Sequence, residues 1–367
     1  MGRSSNKRRG ARPWALGAVL CAVLSLCACG RSDPPDAPAS DLAAVQAPAP
    51  AGATLARVKA RHRVRCGVSE DKPGFAARGL GGQWRGFDVD MCRAIAAAVL
   101  GDSRAVSLTP LTNRTRFAAL QSGAVDVVSG GGAWTFSHDA VLGLTFAGVS
   151  YYDGQGFLTR AGGRYHTIAD LGGARICVLG GTTGQQALGD LFKARKETYQ
   201  PVVKDTLAQA EQAYRGGQCD ALSEDLSVLA GVRARMHRAE DHIMLPGFIA
   251  DEPLGLIVRE DDARWIDAVR WTLNSLILAE SLDVTAQTAE DQRRNSVNPA
   301  VRRLLGVDGE FGARLGLPAD WSFRAVGQVG NYGEVFARNL QPLGLERGRN
   351  ALWNGGQPGA LYAPPLR

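Results

Sequence analysis

Between residues 64 and 223 the chain alternates short apolar runs with helical stretches, and that alternation constrains the fold more than any other feature. Residues 64–68, 106–111, 124–128, 175–179, 201–203 and 221–223 have the length and apolar content of strands. Residues 91–100, 115–122, 183–194 and 206–214 carry helical spacing between them. The alternation predicts parallel sheets covered by helices. The pattern restarts after Asp153, which predicts two α/β lobes with a cleft between them. In such sheets a ligand lies beyond the carboxyl ends of the strands. Four of these ends stand out, at 69–75, 129–138, 180–185 and Asp225.

The N-terminus has a different character. Lys7, Arg8, Arg9 and Arg12 precede an apolar stretch over 14–28, a positive region and a hydrophobic region of signal-peptide length, too short for an ordinary membrane span. The stretch ends Leu26-Cys27-Ala28-Cys29-Gly30, which resembles the bacterial lipobox. That resemblance implies a signal peptide over 1–28, cleavage before Cys29 and acylation of its thiol, giving a periplasmic protein tethered to the membrane by lipid. Residues 30–53 are rich in Pro and Ala without helical or strand period, and read as a disordered tether. The formal charge of +6 has the same origin. Removing the five basic residues before Cys29 from the total of 42 leaves 37 against 36 acidic ones, and no basic run remains. A near-neutral surface lacks the footprint of a nucleic-acid binder.

Cys66, Cys92, Cys177 and Cys219 remain after the export segment. An even number in an oxidising compartment suggests disulfides, for which three connectivities exist. Pairing Cys66–Cys92 and Cys177–Cys219 is favoured because each bond then closes within one lobe; unpaired buried thiols are the alternative. His62, His166, His237 and His242 have no ligand spacing, so neither a metal nor another cofactor is expected. Trp84, Trp265, Trp271, Trp321 and Trp353 are expected in the core or at a lobe interface, and the loop Asn331-Tyr332-Gly333 in packing.

The segments GFDVDMCRAIAAAVLGD, RFAALQSGAVDVVS, GVSYYDGQGF, GGTTGQQALGDLF, CDALSEDLSVLA, EPLGLIVR and VGNYGEVFARN resemble the general L-amino-acid-binding proteins of bacterial ABC importers, within the type II periplasmic solute-binding fold. The resemblance extends over nearly everything from Thr54 to Arg367. It implies an α/β, two-lobe Venus flytrap with parallel-rich mixed sheets: residues 54–153 plus 251–367 in lobe 1 with a C-terminal extension, and 154–250 in lobe 2. It also implies a monomer that passes a small-molecule ligand, an amino acid or an analogue, to an ABC permease.

A free amino acid presents a carboxylate and an ammonium, and a buried site must neutralise both. By resemblance Asp225 in SEDLS takes the ammonium, and Thr183 in GGTTG meets the carboxylate at a helix start. Capping a helix and turning a strand are the plain structural roles of these two stretches. The stretch VVSGGGAWTFSHDA departs from the family. Where relatives read R-N-T-T-W-T-x-S-R, this chain has Gly130 to His138, so His138 stands where an arginine grips the carboxylate. Thr135 matches, and only backbone groups of Gly131 and Ala133 remain before it. With Phe75 these complete the expected ligand set. Protonated His138 would compensate in part and make binding pH-dependent, the glycines would free volume, and Arg114 or Arg116 is the other candidate cation. Loss of the arginine leaves room for two alternatives: an envelope sensor or interaction module, and a periplasmic lyase or dehydratase using Glu224 with His138. Against the latter, Glu224 reads as a solvated neighbour of Asp225.

Overall fold

The chain is described by a computed structural model covering residues 53–69, 72–79, 81–357 and 359–367. The signal segment, the lipidation residue Cys29 and the tether to residue 52 lie outside the described residues. The apolar runs form strands in chain order: β1 (Val64–Ser69), a hairpin of β2 (Ala77–Arg78) and β3 (Trp84–Arg85), β4 (Val106–Leu111) and β5 (Val127–Ala133). There follow β6 (Leu144–Arg160), β7 (Arg175–Leu179), β8 (Gln200–Lys204), β9 (Ala221–Asp225), β10 (His242–Met244) and β11 (Ala250–Arg259).

Outside the β2–β3 hairpin these strands make one sheet of order β4-β1-β5-β11-β6-β9-β7-β8, with β10 on the flank of β6. β4, β1 and β5 are parallel, as are β8, β7 and β9. The middle of the sheet makes it mixed, as the resemblance implies. β11 runs antiparallel to β5 and β6, and β6 antiparallel to β9. β6 pairs with β11 from Leu144 to Gln155 and with β9 from Gln155 to Thr159, so one 17-residue strand joins the second parallel block directly and the first through β11.

Side-chain alternation distributes the core over the two faces. In β7, Cys177 and Leu179 join Tyr214, Val228 and Val232 on one side, while Ile176 and Val178 join Leu188 and Phe192 on the other. Around β1 a separate and larger core gathers Phe87, Ile95, Trp265, Trp321 and Phe336. Both expected disulfides are formed, with Cα separations of 6.1 Å for Cys66–Cys92 and 5.6 Å for Cys177–Cys219, and each lies within one of these cores. Asn331 caps the helix Tyr332–Asn339, and the Tyr332 hydroxyl donates to the Ser150 carbonyl at 2.7 Å. Trp353 departs from expectation: it is 60% exposed, with its ring edge-on to Tyr362.

Several element boundaries differ from the sequence reading, and two of them shape the site around β5. The helix expected from Met91 begins at Phe87, because Gly86, at φ 136°, lets the chain turn sharply into it. Asp88 and Asp90 therefore fall in its first turn, where the helix dipole favours acids. The second is the glycine run, which does not end its strand. β5 continues through Gly130, Gly131 and Gly132 to Ala133, with a register shift in its pairing to β11. Gly130 and Gly132 have φ of 64° and 144°. A Cβ on Gly130 would lie 2.0 Å from the Asp88 carboxylate, and one on Gly132 would lie 2.8 Å from the Arg116 guanidinium. The glycines do not leave free volume for a ligand, as their composition suggested. Asp88 and Arg116 fill it.

Candidate ligand-binding site

The carboxyl ends of both parallel blocks converge on two adjoining cavities. Lys72, beyond β1, and Asn113, beyond β4, face Glu224 at the end of β9, and these three line both cavities. The outer cavity, about 410 Å³, is walled by Trp84, Leu111, Leu179 and Leu207. The inner one, about 30 Å³, is closed by Arg116, Ala133, Gln155, Thr183, Asp225 and Glu252. That is room for roughly two water molecules. Protein side chains take up the remaining space.

Each polar wall has a local cause. Thr182 accepts from the Gln185 amide at 3.1 Å and starts the 13-residue helix Thr183–Arg195, whose first turn opens on the inner cavity. The Thr183 hydroxyl donates to Glu252 at 2.9 Å. Gly184 follows because a Cβ there would lie 2.4 Å from the Gln155 amide, which donates to Ser223 at 2.8 Å. Asp225 holds the N-cap position of the helix Leu226–Ala234 but makes no side-chain capping bond. Its carboxylate instead takes Lys72 Nζ at 3.2 Å. Asp153 bonds Ser227 in that helix's first turn.

Arg116 is the buried cation of the site. It is 7% exposed, packs 4.9 Å from the Phe117 ring centroid, and donates through one terminal nitrogen to Asn113 at 2.6 Å. Its Nε has no partner. Burial lowers its pKa to about 10, opposed by Asp225, Glu224 and Glu252, so it stays charged at neutral pH. Arg114, the other candidate, pairs with Asp205 at 2.5 Å on the surface.

The expected ligand residues divide. Ala133, Thr183 and Asp225 line the inner cavity. Phe75 is buried in the large core against Tyr151 and Phe87. Gly131 is buried in β5, and Thr135 caps the short helix Phe136–Ala140 by accepting from the His138 amide. His138 lies outside both linings: its Nδ1 donates to the Ala133 carbonyl at 2.9 Å and its ring packs on Phe117. Burial and then Arg116 hold its pKa below the ordinary value against the Ala133 bond. A protonated His138 gripping a carboxylate is therefore disfavoured twice, by place and by charge. Glu224 corrects the sequence reading as well. It is 8% exposed, since β9 runs on through Glu224 and Asp225 and carries both into the interior.

The acids outnumber their partners. Burial, then Asp225, pushes Glu224 up to about 8 and Glu252 up to about 7. The same causes put Asp153 at about 7, and burial puts Asp88 at about 6. These groups hold protons more tightly folded than unfolded. Their stabilisation is complete below the ordinary carboxylate range of about 4 and is lost as pH rises through about 6 to 8. The melting temperature is expected to fall between about pH 6 and pH 8.5. Glu224→Gln, which cannot ionise, should flatten that slope and melt higher than the native chain at the alkaline end. A slope unchanged by the substitution would show that Glu224 does not titrate there.

Comparison with known proteins matches residues 64–288 to the bacterial extracellular solute-binding proteins, family 3. The chain belongs to that family. It is 46% identical over 329 residues to the general L-amino acid-binding periplasmic protein AapJ of Rhizobium johnstonii, covering 88% of this chain and 96% of the relative. It is 45% identical over 329 residues to the glutamate/glutamine/aspartate/asparagine-binding protein BztA of Rhodobacter capsulatus, covering 89% and 97%. Among solved structures, an ABC transporter/periplasmic binding protein from Brucella ovis with glutathione bound superposes with a TM-score of 0.82 at 45% identity, covering 86% of this chain and 99% of that one. The fold is thus the type II periplasmic binding fold, and membership in this solute-binding family places the chain's work outside the cytoplasm. Among the described residues no helix is long and apolar enough to cross a membrane.

Lys72, Arg116, Gln155, Glu224 and Glu252 line the site without being in the expected ligand set. The loop holding Lys72 had been marked as a strand end, and a lone cation beside a Gly/Pro turn was the available signal. Glu252 had one too, as a charge opening the apolar run PLGLIV.

Proposed function

We propose that this protein captures an amino acid, or a small molecule built like one, and delivers it to an ABC importer. The observation that carries the reading is Arg116, a buried cation with an unpartnered Nε, facing Asp225 across a cavity onto which a helix N-terminus opens. The ligand carboxylate would lie on Arg116 and the amides at Thr183, and its ammonium on Asp225. In this reading Arg116 takes the role that resemblance assigns to position 138. The names of the relatives support an amino-acid ligand and an importer.

Residues 54–153 with 251–367, and residues 154–250, are proposed as the two lobes, with β6 and β11 as the crossing segments. The separation of the hydrophobic cores supports this division. The protein is proposed to work as a lipid-anchored monomer acylated at Cys29. It is proposed as a binder rather than a catalyst, because His138, the partner that a lyase reading gives Glu224, lies outside both cavity linings. A melting screen of the full chain against the twenty amino acids, related di-acids and amines tests the reading. Binding to the native state must raise the melting temperature. At least one amino acid should raise it by several degrees, and silence at millimolar concentrations would overturn the proposal.

A further inference from the structure

The two cavities meet at Glu224, and its surroundings are unusual. Glu224 is 8% exposed as a residue and lines both chambers, and its carboxylate makes no hydrogen bond or ion pair among the described residues. Every other charged group of the two linings has a partner. Asp225 has Lys72, Glu252 has Thr183, Arg116 has Asn113, Asp205 has Arg114, and Arg78 lies over the Trp84 ring at 4.7 Å. A nearly buried carboxylate without a bonded partner is costly unless a cation reaches it.

The charge balance points the same way. Fully ionised, the three carboxylates of the inner lining, Glu224, Asp225 and Glu252, outnumber its two cations, Lys72 and Arg116, by one; without a further cation Glu224 and Glu252 tend to hold protons instead. A zwitterionic ligand leaves that deficit of positive charge as it is, and an acidic side chain deepens it. One further positive charge on the ligand cancels it. Should Lys72 leave Asp225 to admit the ligand's ammonium, the deficit grows by one. The chain itself already places an alkylammonium here, since Lys72 Nζ lies 3.2 Å from Asp225 and also feels the charge of Glu224. Beyond Glu224, Trp84, Leu111, Leu179 and Leu207 offer an apolar wall suited to methylenes.

We propose that the site selects amino acids with a cationic side chain, a guanidinium or ammonium on three or four methylenes, and that Glu224 is the residue that receives that cation. This rests on the amino-acid reading above and names its substrate class. With Arg116 and the helix start of Thr183 holding the carboxylate and Asp225 the ammonium, the side chain runs through the neck past Glu224 into the outer chamber. Acidic amino acids meet Glu224 as a like charge and are disfavoured.

The test compares arginine with citrulline, which has nearly the same shape and a neutral urea in place of the guanidinium. Calorimetric titration of the full chain at neutral pH should show arginine binding about tenfold tighter than citrulline or more, and glutamate weaker than both. In Glu224→Gln the arginine-to-citrulline ratio should fall to about threefold or less. Glu224→Asp should recover part of it, which separates a charge role from a packing one. If the Gln variant does not fold, the ratio in the native chain still decides. Glutamine, alanine or glutamate binding while arginine is no tighter than citrulline would overturn this inference and leave the amino-acid reading standing. No binding by any of the five amino acids would overturn this inference, and silence across the wider melting screen as well would sink both.

Discussion

Arg116→Gln is expected to weaken binding of the amino acid that gives the largest melting shift by about thirtyfold or more, while His138→Ala changes it by about threefold or less. The asymmetry follows from where the two side chains end. Arg116 is buried, lines the inner cavity, and keeps an unpartnered Nε. Removing one member of a desolvated, hydrogen-bonded charge pair costs on the order of 2–5 kcal/mol, because the carboxylate left behind has lost its solvent as well as its partner. Glutamine keeps a donor near Asn113 but no charge. His138 donates its ring proton to the Ala133 carbonyl and packs at a tilt against Phe117, outside the cavity. Its loss removes a support of β5 rather than a ligand contact. Affinity should accordingly gain nothing from His138 as the pH is lowered. Equal losses in the two variants would return position 138 to the binding machinery.

The second large effect concerns stability. Replacing Cys177 and Cys219 together with alanine is expected to lower unfolding free energy by about 4 kcal/mol, read from a lower denaturation midpoint with a slope that rises as the unfolded chain expands. The bond spans 42 residues of sequence, so it restricts much of the unfolded chain. Cys66–Cys92 spans 26 and should be worth slightly less, about 3.5 kcal/mol on the same chain-entropy basis. Both cysteines of the longer bond lie in the core formed with Leu179, Tyr214 and Val228. Two alanines in their place leave small gaps that add to the loss. A loss below about 1 kcal/mol would mean that packing alone holds β7 beside β9.

Strand positions and the cysteine pairing were legible in the sequence because apolar runs of five or six residues report burial directly, and export context restricts cysteine chemistry. What periodicity does not report is which strand lies beside which. β6 and β11 were not among the strands read from the sequence, yet they turn two parallel blocks into one sheet. Asp225 and Thr183 entered the expected ligand set through the family resemblance, and both line the inner cavity. Arg116 was visible only as one of two candidates. The decision between it and Arg114 rests on Gly132, whose missing side chain leaves the space that the Arg116 guanidinium enters. Glu224 was misread because solvation was assigned by residue type. Its burial comes from a strand that continues two residues beyond its apolar part.

The 17-residue β6, bonded to β11 along one stretch and to β9 along the next, sets how the molecule can move. Blocks joined by loose cord could drift in any direction and return out of line. Blocks joined by a continuous laced ribbon can flex and twist, but they cannot slide along one another without unlacing it. The ribbon behaves as a leaf spring. Were the proposed lobes to part, the Thr183–Glu252 and Arg114–Asp205 bonds between them would break, and the ribbon would bring the same partners back together.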